Sequence, residues 1–322
     1  MKRNNVLDIA KGIAISLMVI GHCYSGWTAI STLIYAFHMP FFFIVSGILY
    51  SYKWKDNVSI SFVRLSRKLI VPYLFFDILS LLFILILKRS SNIVDEFANG
   101  LLSNTFSFVG TTTTWFLPCQ LLTVLMSALV IKMTQKKANF VGVIIFAILF
   151  LFAVSTPTPG HYWVVLWRIF VGMGFFAIGY YGSAYIVREA SSVTTVLCSA
   201  VFVGTAIING QISLASLEFS NPILYLINGI LGTFIICQLC YALCKNKCAE
   251  HVFSILGQNS IVILCTHMFA VEIIRLADYK LFNNLLYHLG LLEGFVFGGM
   301  VLFLMWIVIP LCNRYCKLLF GK

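Results

Sequence analysis

The sequence predicts an all-α polytopic membrane protein, a bundle of about ten transmembrane helices with both termini cytoplasmic. Three observations predict it. Of 322 residues, 60% are hydrophobic and 10% charged, and the mean hydropathy is +0.96, a balance foreign to soluble domains. Apolar runs recur at lengths of about 17–25 residues, enough to cross a bilayer's hydrocarbon. Of the 22 Lys and Arg, four (Lys88, Arg89, Arg275 and Lys280) fall in segments that would face outward and two (Lys11 and Arg168) lie within spans. The other 16 occupy the alternate, cytoplasmic segments. The net charge of +11 is therefore orienting charge that punctuates apolar runs, and not a nucleic-acid footprint.

The predicted spans are, in order, 6–27, 30–52, 69–87, 113–132, 139–156, 163–184, 193–210, 222–243, 252–274 and 292–314. The first is read as a retained helix, because no small-residue cleavage site follows it. The second contains "FHMPFFF", and its Pro predicts a kink or a partly re-entrant start. The longest extramembrane stretch, about residues 88–112, would lie outside, and "FVGTTTTWF" leads from it into the fourth span. No fixed-period repeat or linker divides the chain, so residues 1–322 are read as a single membrane domain. The ten Cys, among them Cys119, Cys198, Cys237 and Cys265, show neither metal-ligand spacing nor a disulfide framework. They are read as small apolar core residues.

With little soluble mass, chemistry must use the bundle and its short loops. "LDIAKGIAISLMVIGHC" places Asp8, Lys11 and His22 on the first helix. Lys11 and His22 stand about 20° beyond three full turns apart and ~16 Å along the axis, so they share a face. Asp8 can pair with Lys11 at i, i+3. Such a stripe should face the protein interior or a water-filled cavity. The plain alternative is that Lys11 snorkels to the headgroups. In "HMPFFFIVSGILY", His38 lies at a depth similar to His22. Ser46-Gly47 suits either close helix packing or a hydroxyl bond across helices. In "SFVRLSRKLIVPYLFF", Arg64, Arg67 and Lys68 share one side of a helix. That cluster suits a polyanionic ligand or ordinary lipid-headgroup contact.

In this order, "LDIAKGIAISLMVIGH", "FHMPFFFIVSGILY" and "RLSRKLIVPY" resemble the acyltransferase-3 family of integral membrane acyltransferases, and most closely its stand-alone, fucose 4-O-acetylase-like branch. "TTWFLPCQLL" and "LGQNSIVILCTH" are similar to later segments of that family. The resemblance implies transfer of an acyl group, usually acetyl, to a carbohydrate hydroxyl of a cell-surface polysaccharide or its lipid-linked precursor. It implies cytoplasmic acetyl-CoA as donor, with no metal, and a multi-pass protein of the bacterial cytoplasmic (inner) membrane. Under it, His22 matches the essential first-helix His, and Lys11 stands where Arg is common. Arg64 and Arg67 match the basic pair linked to donor binding, with Lys68 beside them.

That chemistry needs a base to take the proton of a sugar hydroxyl as it attacks the thioester, and neutral His22 is the candidate. Ser46 stays open as an acyl carrier. The remaining polar groups fall on the acceptor side: His38, His267 near the depth of His22, Trp115 at the start of the fourth span, and Arg168 within the sixth. For Trp115, an ordinary interfacial anchor is the alternative. For Arg168 the choice lies between acceptor binding and a pair with a distant carboxylate. Glu272 and Arg275 are expected as a local i, i+3 pair. A transporter or flippase of a glycan-related substrate, without acyl transfer, is the competing function, although inverted repeats are not evident.

Overall fold

The computed structural model describes residues 5–54, 58–86, 113–134, 139–157 and 163–321. These form α1 (Asn5–Cys23), α2 (Ala29–Tyr35), α3 (His38–Leu49), α4 (Val58–Ile86), α5 (Phe116–Thr134) and α6 (Asn139–Ser155). They continue as α7 (Val164–Ile186), α8 (Ser192–Asn209), α9 (Pro222–Leu243), α10 (Lys247–Gln258), α11 (Ser260–Phe282) and α12 (Glu293–Tyr315). Eight helical segments among the described residues are long and apolar enough to span a membrane, so the chain is an all-α, multi-pass membrane protein. The 88–112 stretch lies outside the described residues.

Two predicted spans are broken, each for a local reason. The span 30–52 is two helices, α2 and α3, that meet at Ala36–Phe37. Pro40 lacks an N–H, and inside a continuous helix its ring would clash with the carbonyl of Ala36; it is tolerated in the first turn of a new helix. Thr28 starts α2 through a reciprocal capping box: its hydroxyl accepts from the Ser31 amide at 3.1 Å, and Ser31 Oγ accepts from the Thr28 amide at 2.8 Å. The span 252–274 also divides, because α10 ends at Gln258 and α11 begins at Ser260. Asn246 caps α10, its side chain accepting from the amides of Cys248 and Ala249 at 2.9 and 3.2 Å. At the break, Asn259 donates to the Ile255 carbonyl at 2.8 Å and accepts from Asn313 of α12 at 3.0 Å.

Two glycine interlocks fix the centre of the bundle. A Cβ at Gly12 of α1 would strike the Phe253 carbonyl of α10, and one at Gly257 would strike the Asp8 carbonyl. Likewise Gly47 of α3 admits the Phe176 carbonyl of α7, and Gly179 admits the Ile44 carbonyl. In lipid, where helices gain little from hydrophobic burial against one another, such close backbone approach supplies the packing. It holds α1 and α3 with their polar faces inward. Five Cys (23, 119, 237, 240 and 265) are buried as expected, but Cys198, Cys244, Cys312 and Cys316 are only half-buried, and Cys248 is exposed at the start of α10, where its apolar character has no core to enter.

Candidate functional site

One face of α1 lines two cavities. Lys11, Ile15, Met18 and His22 fall within about 60° of one another on a helix; the first three line a cavity of about 390 Å³, and Met18 and His22 line a second of about 120 Å³. Lys11 and His22 thus line internal cavities, the placement that intramembrane polar groups require.

The larger cavity is basic at one end. Lys11, Arg64 and Lys68 line it. Lys11 is held by Asp8, whose Oδ1 accepts from Nζ at 2.7 Å, as the i, i+3 spacing predicts. Arg67 does not line the cavity and is exposed. Helix geometry explains this: Arg67 lies about 60° from Arg64 on the flank opposite Lys68. Deeper in, Ser46 lines the same cavity and accepts a hydrogen bond from Gln120 Nε2 of α5. Three cations at the mouth and mostly apolar walls beyond suit a phosphorylated carrier with a long, less polar arm.

The smaller cavity is aromatic and imidazole-lined. Tyr35 Oη lies 3.1 Å from His22 Nδ1, and the Tyr35 ring meets His38 edge-on at 4.9 Å between centroids. His38 Nδ1 donates to the Ile34 carbonyl at 3.0 Å. His267, fully buried behind His22 with ring centroids 5.5 Å apart, donates from Nδ1 to the carbonyls of Ile263 and Leu264 at 2.9 and 3.1 Å. A carbonyl only accepts, so the neutral rings of His38 and His267 carry their protons on Nδ1. The His22–Tyr35 pair is different, since a hydroxyl can either donate or accept.

Trp115 lines this cavity, and Arg168 lies against it. Trp115 is buried and lines it, so it is not an interfacial anchor. The Arg168 guanidinium lies over the Trp115 ring at 4.6 Å and donates to the Ala215 carbonyl. Ser213, Leu214 and Ala215 also line the cavity. They belong to the loop between α8 and α9, which is closed on itself by paired Ser213–Glu218 backbone bonds of 3.0 and 2.9 Å. Arg168 therefore touches two parts of the cavity lining, the loop and the indole. Among the described residues the expected Glu272–Arg275 ion pair is not formed; the Arg275 guanidinium lies over Phe297 of α12 at 5.7 Å, where the ring face offers an electrostatic partner.

Several participants escaped the sequence reading. Tyr35 precedes His38 by three residues in a helical stretch, so i, i+3 spacing was an available signal. Gln120 sits inside the quoted "TTWFLPCQLL". Thr113 donates to the Leu264 carbonyl at 3.1 Å and Thr114 to Asp77 at 3.3 Å, which gives the threonine run a role in tying α5 to α11 and α4. Asp77 is a buried carboxylate with no marker in the sequence beyond its presence in an apolar run.

Comparison with known proteins found no matching curated protein and no matching solved structure. A family model, the Acyl_transf_3 acyltransferase domain, matches residues 4–310. Almost the whole chain is thus covered, and this multi-pass protein, with its basic and imidazole cavities, belongs to the acyltransferase-3 family.

Proposed function

We propose that this acyltransferase moves an acetyl group from cytoplasmic acetyl-CoA to a hydroxyl of a cell-surface polysaccharide or its lipid-linked precursor, with His22 as general base. The observation that carries the reading is the stacking of the basic and imidazole cavities along one face of α1. Lys11, Arg64 and Lys68 receive the phosphates of CoA, and the thioester arm extends toward His22. The acceptor enters from the opposite side, beneath the loop that Arg168 holds.

The acceptor oxygen bonds to the acyl carbon as the carbon–sulfur bond breaks. His22 takes the hydroxyl proton during the attack and returns it to the departing CoA thiolate. For this, His22 must offer its Nε2 lone pair, so Nδ1–H donates to Tyr35 Oη and the phenol supports the imidazolium as it forms. Ser46 lines the cavity that His22 does not, which favours direct attack over an acyl-Ser46 intermediate. The test is transfer of labelled acetyl from acetyl-CoA to extracted surface glycan by the purified protein. His22→Ala should lose about 10²–10⁴-fold in rate; transfer retained at normal expression overturns the base assignment.

A further inference from the structure

The two cavities meet at four side chains common to both: Met18 of α1, Met39 of α3, Phe116 of α5 and Leu264 of α11. All four are buried. They come from four different helices and are entirely apolar, and they stand between the basic cavity and the one that His22 lines. We propose that these residues form a movable partition that the acyl thioester must displace, and that this partition sets the longest acyl group the protein transfers. The proposal deepens the acyltransferase reading above and rests on it.

The four side chains divide into fixed and moving parts. Phe116 is braced by ring contacts with Phe43 at 5.3 Å, Phe42 at 5.8 Å and Trp115 at 6.1 Å, and it acts as a post. The backbone at Leu264 is anchored as well, since its carbonyl accepts from Thr113 Oγ1 and from His267 Nδ1, each at 3.1 Å. Met18 and Met39 are unbranched and adaptable, the side chains best suited to swing aside and re-close on an irregular guest. Leu264 completes the seam between them.

Size gives the partition its selectivity. The basic cavity holds about 390 Å³ and the imidazole cavity about 120 Å³. The smaller chamber has to admit both the acyl carbon and the attacking hydroxyl, so a short acyl group passes and a longer one is stopped with its tail still in the seam. The closed partition also keeps the thioester away from water until the arm crosses, as an active site must when hydrolysis competes. Nothing in the transfer step changes: the carbon–sulfur bond breaks, the carbon–oxygen bond forms, and the proton passes through His22 to the thiolate.

The experiment compares acetyl-, propionyl- and butyryl-CoA as donors with the unaltered full-length protein and with Leu264→Ala, Met39→Ala and Leu264→Phe, measuring CoA affinity and melting temperature for each. Truncating Leu264 or Met39 should raise the butyryl-to-acetyl ratio of kcat/KM by about tenfold or more, the scale on which apolar pockets sort substrates by a methylene or two. Leu264→Phe should depress transfer from every donor while CoA still binds normally in the basic cavity. Two variants opening the same seam from different helices guard against one failing to fold. Unchanged donor ratios in folded, CoA-binding variants would overturn the partition. No transfer from any acyl-CoA by the unaltered protein would instead overturn the acyltransferase reading, and the partition with it.

Discussion

Removing the Tyr35 hydroxyl tests the proposed tautomer of His22 directly. Tyr35→Phe deletes one oxygen and leaves the ring, whose contacts with Trp27 at 5.0 Å and His38 at 4.9 Å persist, so the fold should be little disturbed. The lost bond is the 3.1 Å contact with His22 Nδ1. With a neutral imidazole, such a bond contributes about 0.5–1.5 kcal/mol, and with an imidazolium donor about 1.5–3 kcal/mol. The difference, roughly 1–2 kcal/mol, is realised only as His22 takes its proton, so it belongs to the transition state. Steady-state kinetics with labelled acetyl-CoA should show kcat falling about 5- to 30-fold, with the CoA KM nearly unchanged. An unchanged kcat, or a loss confined to KM, would refute the assignment of Tyr35 as the acceptor of the Nδ1 proton.

Other outcomes follow from the same geometry. Arg64→Ala with Lys68→Ala should weaken CoA binding and make the remaining affinity less salt-sensitive, measured by titration; Arg67→Ala, pointing away from the cavity, should have the smaller effect. Arg168→Lys keeps the charge but gives up the planar guanidinium over Trp115, so the acceptor KM should rise while CoA affinity holds. Gly257→Val places a side chain against the Asp8 carbonyl, and overpacking of this kind costs about 1–3 kcal/mol or more, to be read as a lower melting temperature. A reporter active only in the cytoplasm should be silent when fused within residues 88–112; activity there would reverse the orientation expected from the Lys and Arg distribution.

How legible the site was depended on distance along the chain. The alignment of Lys11 with His22 on α1 could be read because the two are related by the helical repeat alone. The Asp8–Lys11 pair, at 2.7 Å, is equally local. The basic cluster was legible only in part: three charges sit within five residues, yet the neighbouring helices let Arg64 and Lys68 reach the cavity and turn Arg67 away. The division of 30–52 was signalled by Pro40, whereas the division at Asn259 was not, because an Asn inside an apolar run fits a continuous span as well as a junction. There the deciding contact is with Asn313, 54 residues away.

By itself, then, the sequence determined the membrane class, the family and one polar face of the first helix, because hydropathy and helical periodicity act over neighbouring residues and need no partner. The tertiary structure alone decided which charges face the same space and how His22 is partnered. It also decided that Met18, Met39, Phe116 and Leu264 meet between two cavities. Helix packing of this kind includes the close approaches at Gly12, Gly257, Gly47 and Gly179. A glycine announces that approach is possible, but which backbone comes to rest on it is settled only when the whole bundle packs.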